Sequence, residues 1–494
     1  MRGTAVDVAE SRGVGGATSG GGNSGVGNGE GISGLPKGWA RATLGEIGVE
    51  VQPGFASGKH NRDGNGVLHL RPMNITRHGV IDTSDARFIE DESERRVQRG
   101  DILFNNTNSP ALVGKTAWVD SEKPLAYSNH MTRLRPPVGL DGQFLAIQLH
   151  ALWSTGYFKT VLNNHVNQAS VSRKVLLDTT ITIPPLAEQR RIVARLDEQL
   201  DHVEAGESSL ARAAKKLTEL ISQIRSREVR TSPGKELPPG WRWGTVGDVL
   251  QRIEAGKSFT CLPRAAHEDE WGIIKVSAMT WGEFRADENK AVPEGREVNP
   301  DFEICSGDIL LSRANTVEYV GAPVLVGPVR GKLLLSDKSL RLVPKDRVSR
   351  EWLLEVLSSR YVRDQYSDAA TGTSDSMRNI SQGVVKSARI PVPGSYDEQQ
   401  RIASVIRDRI AQVGVLRDAL DSQAAEVINL RAALLYAAFT GTLVAQDPTD
   451  EPASTLLDRI RAQRSAATGT KSARRRTPRT SKSTGDPGQG ELPL

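Results

Sequence analysis

Cysteine is almost missing: Cys261 and Cys305 are the only two in 494 residues. Two thiols exclude a disulfide framework and a zinc site built from cysteines. No apolar run approaches the ~20 residues of a membrane span, and the N-terminus lacks the apolar core of a signal peptide. A cytoplasmic protein with no membrane partner is therefore expected. Catalytic signatures are missing too. The spacings at Gly54, at Gly58-Lys59 and at Gly256-Lys257-Ser258 are wrong for a phosphate loop. No dinucleotide-binding glycine fingerprint, H-E-x-x-H, G-x-S-x-G or zinc-spaced Cys/His cluster occurs. Asn105-Asn106-Thr107-Asn108-Ser109-Pro110 lacks the paired prolines and aromatic ring of an amino-methyltransferase tetrapeptide. Asp120, Glu122 and Lys123 lie too close together for a nuclease set. A chain without catalysis, metal or cofactor of its own is expected. Charge of either sign is not dominant: 64 Lys+Arg against 59 Asp+Glu gives +5, a weak pull toward polyanions.

What the chain does have is repetition. Leu35-Pro36-Lys37-Gly38-Trp39 returns as Leu237-Pro238-Pro239-Gly240-Trp241. Gly100-Asp101-Ile102-Leu103 returns as Gly307-Asp308-Ile309-Leu310, and Ile183-Pro184 as Ile390-Pro391. Glu188-Gln189-Arg190-Arg191-Ile192 is answered by Glu398-Gln399-Gln400-Arg401-Ile402. The order is kept while the offset drifts slightly, as loop insertions would make it, so the chain reads as a tandem duplication of a roughly 200-residue unit.

Each unit ends in a long helical stretch. Taking every seventh residue gives Leu196, Val203, Leu210, Leu217 and Ile224, then Ile406, Val413, Leu420, Val427 and Leu434 in the second copy. Uninterrupted apolar residues at heptad spacing form the seam of a coiled coil. Three charged residues, Glu207, Arg417 and Arg431, interrupt the companion seam row. They either fix register, bind partner subunits or are simply tolerated. A helix of about 44 residues spans roughly 66 Å, too long to pack inside one small domain, so the two helices are expected to pair with each other. The expected fold is α+β: two tandem α/β domains, each followed by a long helix, the helices antiparallel about a pseudo-twofold axis. The expected boundaries are a disordered Gly-rich 1–34, a first domain 35–184, a helix 185–230 and a linker 231–236. A second domain 237–393, a helix 394–445, a short helical segment 446–464 and a disordered basic tail 465–494 follow.

The loops between the short strands carry donors suited to bases and phosphates. In the first copy they are Lys59, His60, Arg62, Arg71, Asn74, Arg77, Asn105, Asn106, Asn108, Asn129, His130 and Arg173. In the second they are Lys257, Arg264, Lys275, Arg313, Asn315, Lys338, Arg341, Arg378 and Asn379. Matching positions differ: Asn105-Asn106-Thr107 faces Ser312-Arg313-Ala314, and Asn129-His130 faces Asp337-Lys338. One frame with two contact chemistries is what two readers of different sequences need.

This ordered set of motifs, with Ala437-Ala-Phe-Thr-Gly-Thr-Leu443 closing the second helix, resembles the specificity subunits of type I restriction–modification systems over about residues 35–464. The resemblance implies a non-catalytic DNA-reading subunit with two target recognition domains. Each reads half of a split target in double-stranded DNA, and the helices measure the unread spacer. It further implies two methyltransferase partners, which hold S-adenosylmethionine and methylate adenine, and motor–nuclease partners, two in number where present, which use ATP and Mg. Two other readings stay open: a self-sufficient restriction or modification enzyme, and a coiled-coil adaptor that binds no DNA. The first helix departs from the pattern, ending in Ile224-Arg-Ser-Arg-Glu-Val229 without the Ala-Phe-x-Gly close of the second.

Overall fold

The repeated Gly-Asp-Ile-Leu motif is a turn feeding the central strand of a sheet. Gly100 and Gly307 take φ of +91° and +88°, a left-handed conformation that glycine adopts without a Cβ clash. The Asp101 carboxylate, buried, then accepts the Gln98 N–H and a two-pronged contact from Arg135 at 2.6 and 2.8 Å. Asp308 accepts the Cys305 N–H and pairs with Arg341 at 3.0 Å. Ile102–Asn105 and Ile309–Ser312 follow as strands buried along their whole length.

A computed structural model describes residues 34–474, apart from 91–92, 94, 166–167, 232–235, 281 and 375–376, with backbone alone for 164–165, 373–374 and 464–474. The Gly-rich stretch before residue 34 and the tail after 474 lie outside the described residues. By internal contacts the chain forms two compact units, Met1–Leu200 with Ala432–Leu494, and Asp201–Arg431.

In the first unit an antiparallel sheet runs in the order Glu50–Pro53, Met131–Arg135, Ile102–Asn105, Thr116–Trp118. The central register sets Ile102 opposite Leu134 and Phe104 opposite Thr132. A second sheet has Val67–Leu70 between Phe88–Ile89 and Ala126–Tyr127, the latter pair parallel. A third joins Thr107–Asn108 to the hairpin of Asn163–His165 and Gln168–Ser170. Ala40–Thr43 pairs with Thr180–Ile183 and closes the domain. Helix α1, Gly142–Ser154, is N-capped by Asp141 and covers the first sheet with Leu145 and Leu149.

The second unit repeats this strand for strand. Its four-stranded sheet runs Leu250–Ala255, Ser339–Pro344, Ile309–Ser312, Pro323–Leu325. Gly272–Ile274 lies between Asn289–Ala291 and Leu333–Leu334, and Ala314–Asn315 pairs with Met377–Asn379. The covering helix appears again as Arg350–Ser358, capped by Ser349. The tandem α+β architecture is thus observed, not only its motifs.

The long helices are α2, Leu186–Glu228, and α4, Tyr396–Thr440; the intervening helix Arg350–Ser358 is α3. In the first unit the start of α2 meets the end of α4: Ile192, Val193 and Leu196 pack with Leu434, Ala438 and Phe439. In the second unit the end of α2 meets the start of α4, with Ile224 and Val229 against Ile402, Ala403 and Ile406. The helices are therefore antiparallel. Of the seam residues, Leu196, Val203, Ile406 and Val413 are buried, while Leu210, Leu217, Ile224, Leu420, Val427 and Leu434 are half-buried. Glu207 faces Arg431 at 3.7 Å, so two of the charged seam residues pair with each other. Arg417 is exposed. Where α4 ends with Phe439 edge-on to Phe144 and Gly441 at φ +77°, α2 ends with buried Val229 and with Arg230 at φ +57°.

The Glu-Gln motif explains how each helix is tied to its domain. Gln189 accepts the Asp141 N–H at 2.8 Å and donates to the Pro184 carbonyl. Gln399 accepts the Ser349 N–H at 2.9 Å. Each amide thus satisfies the backbone of the N-cap of the covering helix. Gln189→Leu is expected to leave that half-buried N–H unpaired and lower the stability of the first unit by about 1–3 kcal/mol, read by chemical denaturation.

The segment after α4 runs further than expected. Helix α5 spans Ala453–Arg474 instead of stopping near Arg464. The expectation of disorder from 465 onward is corrected for residues 465–474, whose small and polar residues carry no apolar periodicity to mark a continuing helix. Ala453, Leu456, Leu457 and Ile460 are buried, and Ala453 and Leu457 belong to the core of the first domain. No helix among the described residues is long and apolar enough to cross a membrane.

Candidate nucleic-acid interface

One polar cluster forms at the same place in each copy, around the short strand that follows the central one. In the first copy the N–H groups of Asn106 and Thr107 both donate to the His130 carbonyl, and the Val171 N–H donates to the Asn106 carbonyl. Asn108 lies opposite Ala169 of the hairpin. Asn129 donates its N–H to the Phe55 carbonyl, which draws in the loop carrying Lys59 and His60. Arg173 is exposed just beyond the hairpin. In the second copy the Arg313 N–H donates to the Lys338 carbonyl and the Ile380 N–H to the Arg313 carbonyl. Asn315 lies opposite Arg378, and Ala314 opposite Asn379. Ser258 Oγ donates to Asp337 at 2.5 Å and so brings in Lys257. Asn106 and Arg313, Asn108 and Asn315, His130 and Lys338 thus occupy equivalent backbone positions held by equivalent hydrogen bonds.

Availability differs within the cluster. The guanidinium of Arg313 and the amine of Lys338 have no hydrogen bond or ion pair among the described residues. Asn106 is partly committed, accepting from Thr132 Oγ1 at 3.1 Å and donating to Thr107 Oγ1 at 3.0 Å. Arg378 fastens its own hairpin by donating to the carbonyls of Gly372 and Ala370.

Three expected contacts are corrected. Asn105 is 0% exposed and donates to the Pro72 carbonyl. Asn74, also buried, accepts the Arg71 N–H and donates to the Asp82 carbonyl. Arg341 is 12% exposed at its side chain, where it pairs with Glu254 and Asp308 and donates to the Asp301 and Glu303 carbonyls. All three side chains are tied into the frame by these bonds.

The remaining candidates lie outside the cluster. Arg77 is exposed. Arg62 and Arg71 converge on Asp85. Lys275 pairs with Glu288 at 3.4 Å. Arg264 grips Glu270 through two contacts of 2.6 and 2.7 Å, and these, with the His267 N–H, pull the Glu270 carboxyl down to about 2. A carboxylate depressed in the fold contributes stability above its unfolded value of about 4.5 and loses it as pH falls toward 2. Glu270 should accordingly remain ionised at about pH 3.5 and return to the ordinary range in Arg264→Gln, as followed by carbon-detected NMR.

Sequence reasoning does not find the hairpins Asn163–His165/Gln168–Ser170 and Thr371–Ser374/Met377–Asn379, although Arg378 and Asn379 of the second are among its candidates. A signal for them exists: a polar segment at the same place in both copies, between the covering helices and the closing strand.

Residues 36–209 match the family described as Type I restriction modification DNA specificity domain. The specificity subunit of the type I restriction enzyme EcoKI, from Escherichia coli strain K12, is 23% identical across 90% of this chain and 99% of its own length. The chain is thus similar to type I specificity subunits, by sequence over nine-tenths of its length. The specificity subunit of EcoEI from Escherichia coli is 29% identical over 55% of this chain, a match spanning 48% of that relative's length. A chain from a structure titled for complex assembly and conformational transition of the type I R-M system superposes with a TM-score of 0.62. It is 22% identical and covers 83% of this chain and 100% of its own, a likeness of fold. The type I specificity match begins at the first Leu-Pro-x-Gly-Trp motif and extends into α2.

Proposed function

We propose that this chain is the DNA sequence-recognition subunit of a type I restriction–modification complex, each domain reading one half of a bipartite target. The observation that carries the reading is the pair of equivalent polar clusters, held by the same backbone hydrogen bonds but headed by Asn106 and His130 in one copy and by Arg313 and Lys338 in the other. Base edges in the major groove present distinct donor and acceptor patterns, so different heads on one frame select different bases. On this reading the chain catalyses nothing and holds no cofactor. Two methyltransferase subunits dock on the long helices and adjoining surfaces and supply S-adenosylmethionine for adenine methylation. Two motor–nuclease subunits, where the host has them, supply ATP- and Mg-dependent cleavage.

The test is co-expression with a neighbouring methyltransferase subunit, followed by methylation-sensitive sequencing of host DNA. One bipartite adenine motif with a fixed gap, lost on deletion of this chain, supports the reading. A stable complex that leaves no such motif, and does not bind DNA, refutes it.

A further inference from the structure

Beside the second sheet of the first domain, three guanidinium groups share one carboxylate. Arg87 Nη1 lies 2.8 Å from Asp85, and Arg62 and Arg71 each lie 3.3 Å from it. Burial opposes ionisation of Asp85 more than any other single influence, yet Arg71, Arg87 and Arg62 together hold its carboxyl below the ordinary value. A single arginine suffices to pair a carboxylate, and three crowd like charges together against Coulomb repulsion. Arg71 and Arg87 have a structural use as well, donating to the Asp85 and Ala86 carbonyls. That use leaves donors over: Arg71 Nε is buried without a hydrogen-bond partner among the described residues, and Arg62 is 65% exposed.

The equivalent place in the second copy is built otherwise. The Lys275 N–H donates to the Glu288 carbonyl as the His69 N–H donates to the Arg87 carbonyl, so Lys275 replaces His69 and Glu288 replaces Arg87. There one amine and the Ser277 hydroxyl bond one carboxylate, and Arg285 acts on it through its charge. The surplus of positive charge is peculiar to the first copy.

We infer that Arg62, Arg71 and Arg87, gathered on Asp85, form a seat for one backbone phosphate of the DNA bound by the first domain, with no counterpart in the second. The inference rests on the proposed function and adds where that domain grips the backbone. Planar guanidinium forks match phosphate oxygens two at a time. Asp85, 44% exposed, keeps the forks gathered before DNA arrives and leaves the open side to solvent. The contact is blind to sequence, so it positions the first domain without contributing to base choice.

The test uses the full chain with its methyltransferase partner, titrated by fluorescence anisotropy against duplexes at several salt concentrations. Each phosphate neutralised contributes a slope of about 0.9 in log affinity against log salt. Arg62→Gln and Arg87→Gln are each expected to flatten the slope by roughly one phosphate equivalent and to weaken matched and mismatched first-half sequences by the same factor. Once the target is known, one methylphosphonate in the first half should weaken wild type but not Arg62→Gln. Arg62 is exposed, so that variant stays informative should Arg87→Gln fail to fold. An unchanged slope in Arg62→Gln, or a loss confined to one base-pair choice, overturns the seat while leaving the proposed function standing. A wild-type complex without DNA affinity overturns both.

Discussion

Arg313→Ala is expected to weaken binding to targets with the correct second half by about 5- to 150-fold, the ~1–3 kcal/mol of one good base contact. Discrimination in the first half should be untouched. Arg313 stands between two backbone hydrogen bonds, to Lys338 and from Ile380, which aim the side chain without using it. A fixed base with an uncommitted head is the arrangement that converts binding into selection. Arg313→Lys separates base reading from simple charge. Lysine keeps a phosphate contact but lacks the fork that spans two acceptors on guanine, so it should behave like alanine if Arg313 reads a base and like wild type if it touches phosphate. Anisotropy competition with single base-pair changes in each half reads the outcome.

The second large effect concerns stability. Leu457→Ala is expected to destabilise the first unit by about 2–5 kcal/mol, with the second unit unaffected. Leu457 is buried in the first domain's core, and α5 is fastened there from several sides. The Ala453 N–H donates to the Gly38 carbonyl at 2.8 Å, and Arg191 pairs with Asp450 at 2.7 Å. Leu456 presses on Gly139 so closely that a Cβ there would meet it at 2.6 Å. At the equivalent turn of the second copy, just before the N-cap of α3, Arg347 stands at φ +61°. The bulky residue agrees with the absence of a helix pressed on that turn among the described residues. Hydrogen exchange should show lost protection in α1 and in Ile102–Asn105, and none lost in α3.

The periodic features of the fold are legible in the sequence. Heptad spacing locates both long helices to within a few residues of Leu186–Glu228 and Tyr396–Thr440, because a seam repeats its signal at every turn. The short strands around Val67, Ile102 and Thr116 are readable as apolar runs between turn formers. Burial of single polar residues is not legible. Asn105 and Asn106 are neighbours of one type, yet the first is sealed beneath the Pro72 turn and the second sits at the rim. Arg341 reads as a loop cation and is a strut between Glu254 and Asp308. Such differences depend on long-range partners, which local spacing does not encode. The same holds for Arg87, which no motif marks because the two arginines and the carboxylate it joins are brought together only by the fold.

The docking of α5 sets the order of folding against the order of synthesis. The first domain leaves the ribosome first, but Ala453 and Leu457 of its core, with Leu434 and Ala438 on the adjoining helix face, come from the end of the chain. At about 5–20 residues per second, the nascent domain waits some tens of seconds with those faces uncovered, while the second domain already has its own core in place. A chaperone that shields apolar surface during that interval would act on the first domain.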